Sequence, residues 1–147
     1  MSEPIMKFQI EVDESAVSEL RCASGAVAMI PFRGRVESAL FTGEILPGGV
    51  DVQIENAAGL RNMCAKYMFR GTDCAGQSCC LFVENNGWLN GTEKPGEVLR
   101  AYPRLMTDSK TLGEYFSQAR FRSEVRAEAS GLEIWIYDTV KEKEGQA

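Results

Sequence analysis

The chain has 147 residues, 44% of them hydrophobic and 25% charged, with a net charge of −5 and no histidine. That size and composition suit one soluble domain over residues 1–147 with a single core, and no apolar run approaches the roughly 18 residues of a membrane-spanning helix. The acidic balance, without a basic stripe interleaved with aromatics, argues against a nucleic-acid partner, because a phosphate backbone is repelled on average.

The opening MSEPIMKFQIEV carries acidic residues and no apolar block followed by small residues, so it lacks a secretory layout, and a cytoplasmic location with no membrane partner is expected. Residues 7–13 alternate loosely and are rich in β-formers, which predicts a first strand; the polar stretch 14–25 reads as a short helix or loop. Over 26–37, Ile30, Phe32 and Val36 alternate with Arg33, Arg35 and Glu37, the period-two pattern of a half-buried strand ending in a turn near Ser38. A short strand at 41–46 meets Pro47-Gly48-Gly49, whose fixed φ and two permissive residues predict a chain reversal. The strand at 50–55 has split faces, Val50, Val52 and Ile54 on one side and Asp51, Gln53 and Glu55 on the other, and 56–59 is a turn. Strands at 62–70 and 78–85 flank the turn-rich GTDCAGQS as a hairpin. Asn86-Gly87 is expected to end the second of them, and 88–98, with Gly and Pro but no periodicity, to be a long loop. An extended 99–106 leads to a short helix capped by Asp108 or Ser109, with Thr111-x-x-Glu114 as a capping box. A hairpin of 120–129 and 132–138 around Ser130-Gly131 closes the fold, and 140–147 reads as a flexible tail. The expected class is mainly β: an antiparallel β-barrel of about eight or nine strands with one short helix, a sandwich being the alternative.

Three segments in order, LPGGVDVQ (46–53), AKYMFRGTD (65–73) and LFVENNG (81–87), carry a resemblance to the bacterial and fungal family known as domain of unknown function 3237, also called uncharacterised protein family 0311. The resemblance extends over roughly residues 7–138. It implies a β-barrel and supplies no mechanism, since the family's activity is unassigned. It singles out Asp51 and Gln53 and favours Asn85 over its neighbour Glu84.

Without histidine, Ser-His-Asp and Cys-His nucleophile systems, imidazole shuttles and nearly all catalytic zinc centres are removed. The five cysteines, Cys22, Cys64, Cys74, Cys79 and Cys80, are odd in number, so they read as free thiols, and C-x4-C-C is not a zinc-ligand spacing. No metal and no cofactor are expected. Any chemistry falls to carboxylates, Lys, Tyr, Arg or a thiol. Asp51 and Gln53 belong either to a solvent face or to a polar lining inside the barrel, where desolvation would raise the Asp51 pKa. Tyr67 packs in the core or anchors a ligand and carries a proton; Arg70, on the opposite face of the same strand, lies on the surface or holds a ligand oxygen. Asn85 shapes a turn or joins the lining. The expectation is a barrel that binds an unknown small-molecule ligand, with Asp51 and Tyr67 as catalytic residues and Gln53, Arg70 and Asn85 as substrate-binding residues of an isomerase, cyclase or hydrolase. The alternative is a non-catalytic carrier or oligomer-forming structural subunit. Whether it is an enzyme, and whether it forms a homo-oligomer, stay open at this point.

Overall fold

The computed structural model describes residues 2–118, 120–129 and 131–145. In chain order the elements are β1 (Met6–Val12), a 3-10 turn (Glu14–Ala16), β2 (Ser18–Cys22), β3 (Gly25–Glu37), β4 (Phe41–Ile45), β5 (Val50–Asn56), β6 (Arg61–Asp73), β7 (Ser78–Leu89), β8 (Leu99–Thr107), α1 (Gly113–Phe116), β9 (Phe121–Glu128), β10 (Gly131–Asp138) and α2 (Thr139–Gly145). Eight strands pair antiparallel in the cycle β1-β3-β5-β6-β7-β8-β9-β10 and back to β1, closing a barrel. Closure pairs each of these eight strands on both sides, which removes the exposed edges they would present in an open sheet. The two further strands lie alongside: β4 fills the place between β3 and β6 at one end, and β2 pairs only β3.

The Pro47-Gly48-Gly49 segment does not reverse the chain. Both β4 and β5 run antiparallel to β3 and to β6, so they are two halves of one interrupted strand. From Ile45 to Val50 the chain advances five positions while its partners on β6, Phe69 to Lys66, advance three, leaving a bulge of two extra residues. Leu46 N–H donates to the Met68 carbonyl and Phe32 N–H to the Gly49 carbonyl, which tie the bulge to both neighbours. Gly48 takes φ +110° there, and a side chain on Gly49 would press on the Phe32 carbonyl at 3.1 Å and Tyr67 Cβ at 3.3 Å.

The core is aromatic at the end covered by α1. Phe8 and Phe69 rings lie 4.8 Å apart, and Phe41, Leu81, Phe116 and Ile136 are sealed around them. Four features depart from expectation. Ser18–Cys22 forms a strand that the alternation does not show, because all five of its residues are exposed and no face selects for apolar side chains. β7 runs through Asn86-Gly87 to Leu89, since β6 and β8 pair Gly87 from both sides and neither residue takes the positive φ that a hairpin turn requires. α1 is a single turn without the Thr111/Glu114 box; Ser109, one of the two expected caps, stands just before it, and its Oγ accepts from Leu112 N–H at 3.1 Å. Most of the expected tail instead forms α2, anchored by Asp138 Oδ1, which accepts from Val140 and Lys141 N–H at 2.9 and 3.2 Å. Gln146 and Ala147 of that tail, and Ser130 of the closing turn, lie outside the described residues.

Candidate functional site

Alternation fixes which side chains face inward. On β6 the odd positions point in, with Tyr67 and Phe69 buried and Lys66, Met68 and Arg70 exposed. Register then carries the inner face to β5 and β7, because Asp51, Ala65 and Asn85 are successive cross-strand partners. The polar side of β5 is therefore the inner one, and its apolar side looks outward, with Ile54 50% exposed.

Inward positions near Asp51 are small. Ala65 stands between Asp51 and Asn85, whose strands are two spacings, roughly 10 Å, apart, and in the next row Gly87 pairs Ala101. The result is a cavity of about 200 Å³ at the end of the barrel away from α1. Its wall is apolar, including Ile10, Phe32, Met63, Val125 and Ile134, and the polar side chains on it are Asp51, Gln53 and Asn85. A wider open groove runs outside the wall where the strands on both sides of β3 are interrupted; Val12 and Phe32 line both spaces and divide them.

Gln53 Nε2 donates to Asp51 Oδ2 at 2.8 Å, and Gln53 Oε1 accepts from the Arg61 guanidinium at 2.9 Å. Arg61 also pairs Glu55 at 3.4 Å. The other carboxyl oxygen, Asp51 Oδ1, is buried without a partner among the described residues. Burial pushes the Asp51 carboxyl above its ordinary pKa, and the hydrogen bond from Gln53 only partly opposes this. Tyr67, two positions along β6 from Ala65, is wedged among Phe8, Phe32 and Phe69, and its hydroxyl is also buried and partnerless among the described residues. Burial, and then the nearby Asp51 charge, raise its pKa. Asn85 is buried and accepts from Ser123 Oγ at 2.8 Å through Oδ1, leaving its amide nitrogen without an acceptor among the described residues.

Of the five residues expected to form a site, Asp51, Gln53 and Asn85 meet at the cavity and Tyr67 lies behind it. Arg70 does not join them. Its side chain is exposed on the outer face and reaches Cys80 Sγ at 3.8 Å, as alternation from Tyr67 requires. Arg33 likewise pairs Glu11 outside at 3.0 Å, and Glu84 pairs Lys66 and Arg104 outside. The vicinal pair Cys79 and Cys80 point to opposite faces of β7, and burial pushes the Cys79 thiol up. Three contributors were not anticipated. Arg61 orients Gln53, Ser123 orients Asn85 from 38 positions away, and Ala65 makes room between the polar groups. Only Ala65 had a local signal, a small residue at an inward position of AKYMFR. Among the described residues no helix is long and apolar enough to cross a membrane.

Barrel and cavity together define a class: a small, closed antiparallel β-barrel hollow at one end, with a carboxyl left unpaired in its wall. The chain belongs to the DUF3237 family, described as proteins of unknown function, whose profile matches residues 2–135. A UPF0311 protein of Clostridium acetobutylicum is 33% identical over 86 residues, 58% of this chain and 52% of that protein, so the matched stretch spans about half the length of this curated relative. Solved structures share the fold. A conserved protein of unknown function from Rhodopseudomonas palustris superposes with a TM-score of 0.70 at 23% identity, covering 92% of this chain and 95% of its own. A protein with unknown function from C. acetobutylicum ATCC 824 gives 0.70 at 22%, covering 93% and 96%. A beta-barrel like protein from Acinetobacter baumannii AYE gives 0.71 at 20%, covering 93% and 94%.

Proposed function

We propose that the cavity binds a small molecule and that Asp51 moves a proton on it, in a reaction of isomerase, cyclase or hydrolase type. The observation that carries this reading is the buried Asp51 Oδ1 with no partner. A carboxyl left in that state costs roughly 1–3 kcal/mol, and natural cores seldom retain such a group without a use for it. Its raised pKa brings it toward neutrality, where a proton donor and acceptor works best. Gln53, held by Arg61, fixes the carboxyl; Asn85, held by Ser123, presents an amide donor; Tyr67 serves as a hydrogen-bond donor, because its raised pKa keeps its own proton in place.

A metabolite screen by thermal shift on wild type and Asp51→Asn tests the reading. A ligand that stabilises the wild type and is turned over by it, with turnover lost in Asp51→Asn, is the expected result. Unchanged turnover in the variant removes Asp51 from the role, and a ligand bound by both without turnover supports a carrier.

A second reading has an observation of its own. On the outer face of β2, β3, β5, β7 and β8, Leu20, Met29, Ile54, Trp88 and Tyr102 are 46–71% exposed and lie in neighbouring cross-strand rows with Val27 and Val52. Asn62, Cys64 and Asn86 complete these rows between Ile54 and Trp88 and between Val52 and Tyr102; a cluster of exposed large apolar side chains of this kind marks an association face, and we propose a second copy of the chain as its partner. Light scattering on wild type and Trp88→Glu measures this directly; a monomeric wild type overturns it.

A further inference from the structure

We infer that the cavity is built for an uncharged molecule of roughly six to ten heavy atoms, mostly apolar and carrying one hydrogen-bond-accepting oxygen, a ketone or aldehyde carbonyl. This deepens the ligand-binding reading above and rests on it.

Size comes first. An apolar cavity of about 150 Å³ accommodates benzene, so about 200 Å³ admits one ring or a short branched chain and little more. Charge comes second. Among the described residues no Lys or Arg lines the cavity, and the Arg61 guanidinium that meets Gln53 is already engaged by Gln53 and Glu55. An anionic ligand would enter an apolar space whose one acid is Asp51, with nothing to neutralise it. An ammonium would find one carboxyl and otherwise only amide oxygens that already take a donor, so most of its hydration would be lost without replacement.

Hydrogen-bond valence decides the rest. Each amide oxygen at the wall already takes a donor: Gln53 Oε1 accepts from Arg61 and Asn85 Oδ1 from Ser123. Asp51 Oδ2 accepts from Gln53. What remains unmatched among the described residues is the Asn85 amide nitrogen, which has no acceptor, and two buried oxygens, Asp51 Oδ1 on the wall and the Tyr67 hydroxyl behind it. The Asn85 nitrogen and the Tyr67 hydroxyl are donors by their chemistry, an amide N–H pair and a phenolic O–H. With each amide oxygen and Asp51 Oδ2 already taking a donor, and with donors standing free at Asn85 on the wall and Tyr67 behind it, the site favours a ligand that accepts. A carbonyl oxygen has two lone pairs for that purpose and no proton of its own to leave buried and unpaired.

Four probes of one shape separate the possibilities: cyclohexanone, cyclohexanecarboxylate, cyclohexylamine and methylcyclohexane, titrated at neutral pH against wild type with NMR and thermal shift as readouts. Cyclohexanone is expected to bind at least about tenfold more tightly than the other three, and its carbonyl stretch to move to lower frequency on binding. Ala65→Leu, which fills the cavity, is expected to abolish binding. Equal or tighter binding of the carboxylate, the amine or the hydrocarbon overturns the inference, as does binding of none of the four or a ketone stretch that does not move. The proton-transfer reading fails on a different readout, turnover surviving in Asp51→Asn, so the two failures are distinguishable.

Discussion

The two ends of the barrel each bury aspartates, and they treat them oppositely. At the end covered by α1, Asp73 accepts from Ser109 Oγ at 2.6 Å and from the Ala75 and Gln77 N–H groups, which hold its carboxyl below the usual range. Asp138, at the end of β10, is fully buried. Burial alone would raise its pKa, but the bidentate Arg120 contact, the Tyr115 hydroxyl at 2.6 Å and two N–H groups of α2 bring it down to about 2. At the hollow end Asp51 has a single donor and an orphaned oxygen, and its pKa rises. Residue type is the same; the supply of donors differs. One end is organised for stability, and the other leaves a deficit that a ligand can fill.

Four substitutions test the contrast. Phe69→Ala at the packed end is expected to cost about 4 kcal/mol by urea unfolding, since its ring is wholly buried against Phe8, Phe41 and Tyr67. Asp138→Ala should cost about 3 kcal/mol by leaving Arg120 and the start of α2 unpaired. It should also remove an acid-sensitive component. A carboxyl with a lowered folded pKa stabilises above its ordinary 3.8, and that stability disappears as pH falls through about 2. Wild type should therefore lose stability in this window more steeply than the variant. Asp51→Asn is expected to act in the opposite direction and stabilise by about 1 kcal/mol at neutral pH. Because the folded-state pKa of Asp51 is raised, its contribution is present in acid and fades as pH rises through that value. The advantage of Asp51→Asn should accordingly be absent at low pH and grow upward, as thermal unfolding across pH will show. A destabilised Asp51→Asn would dissolve the contrast. Ala65→Leu should change stability by less than about 1 kcal/mol, because the cavity receives the added atoms, and any unfolding shift beyond that would mean the hollow is smaller than its outline.

How much of this was legible depends on range. The split faces of β5 follow from period two alone, and so does the outward course of Arg70 once Tyr67 and Phe69 are placed inside. The direction of the split does not follow. An apolar face is ordinarily the inner one, yet here Val50, Val52 and Ile54 look outward, because pairing with β6 sets Asp51 opposite the inward Ala65 and Val50 opposite the outward Lys66. Asn86-Gly87 carries a turn signal that pairing on both sides overrides. The Ser123 contact that turns Asn85 joins distant strands, and no local pattern records it. The barrel was accessible from strand count and from the family likeness; the cavity was not, since it depends on which small residues end up facing one another.

The bulge at Gly48-Gly49 has a genetic consequence. A strand is decoded in steps of two, so an insertion of two residues leaves every downstream side chain on the face it would otherwise occupy. Deleting both glycines would keep that frame. Deleting one would exchange the faces of β5, sending Val50, Val52 and Ile54 inward and Asp51 and Gln53 to the outside. A single lost codon would thus trade an acid-bearing hollow for an ordinary greasy core, without altering any residue of the site itself.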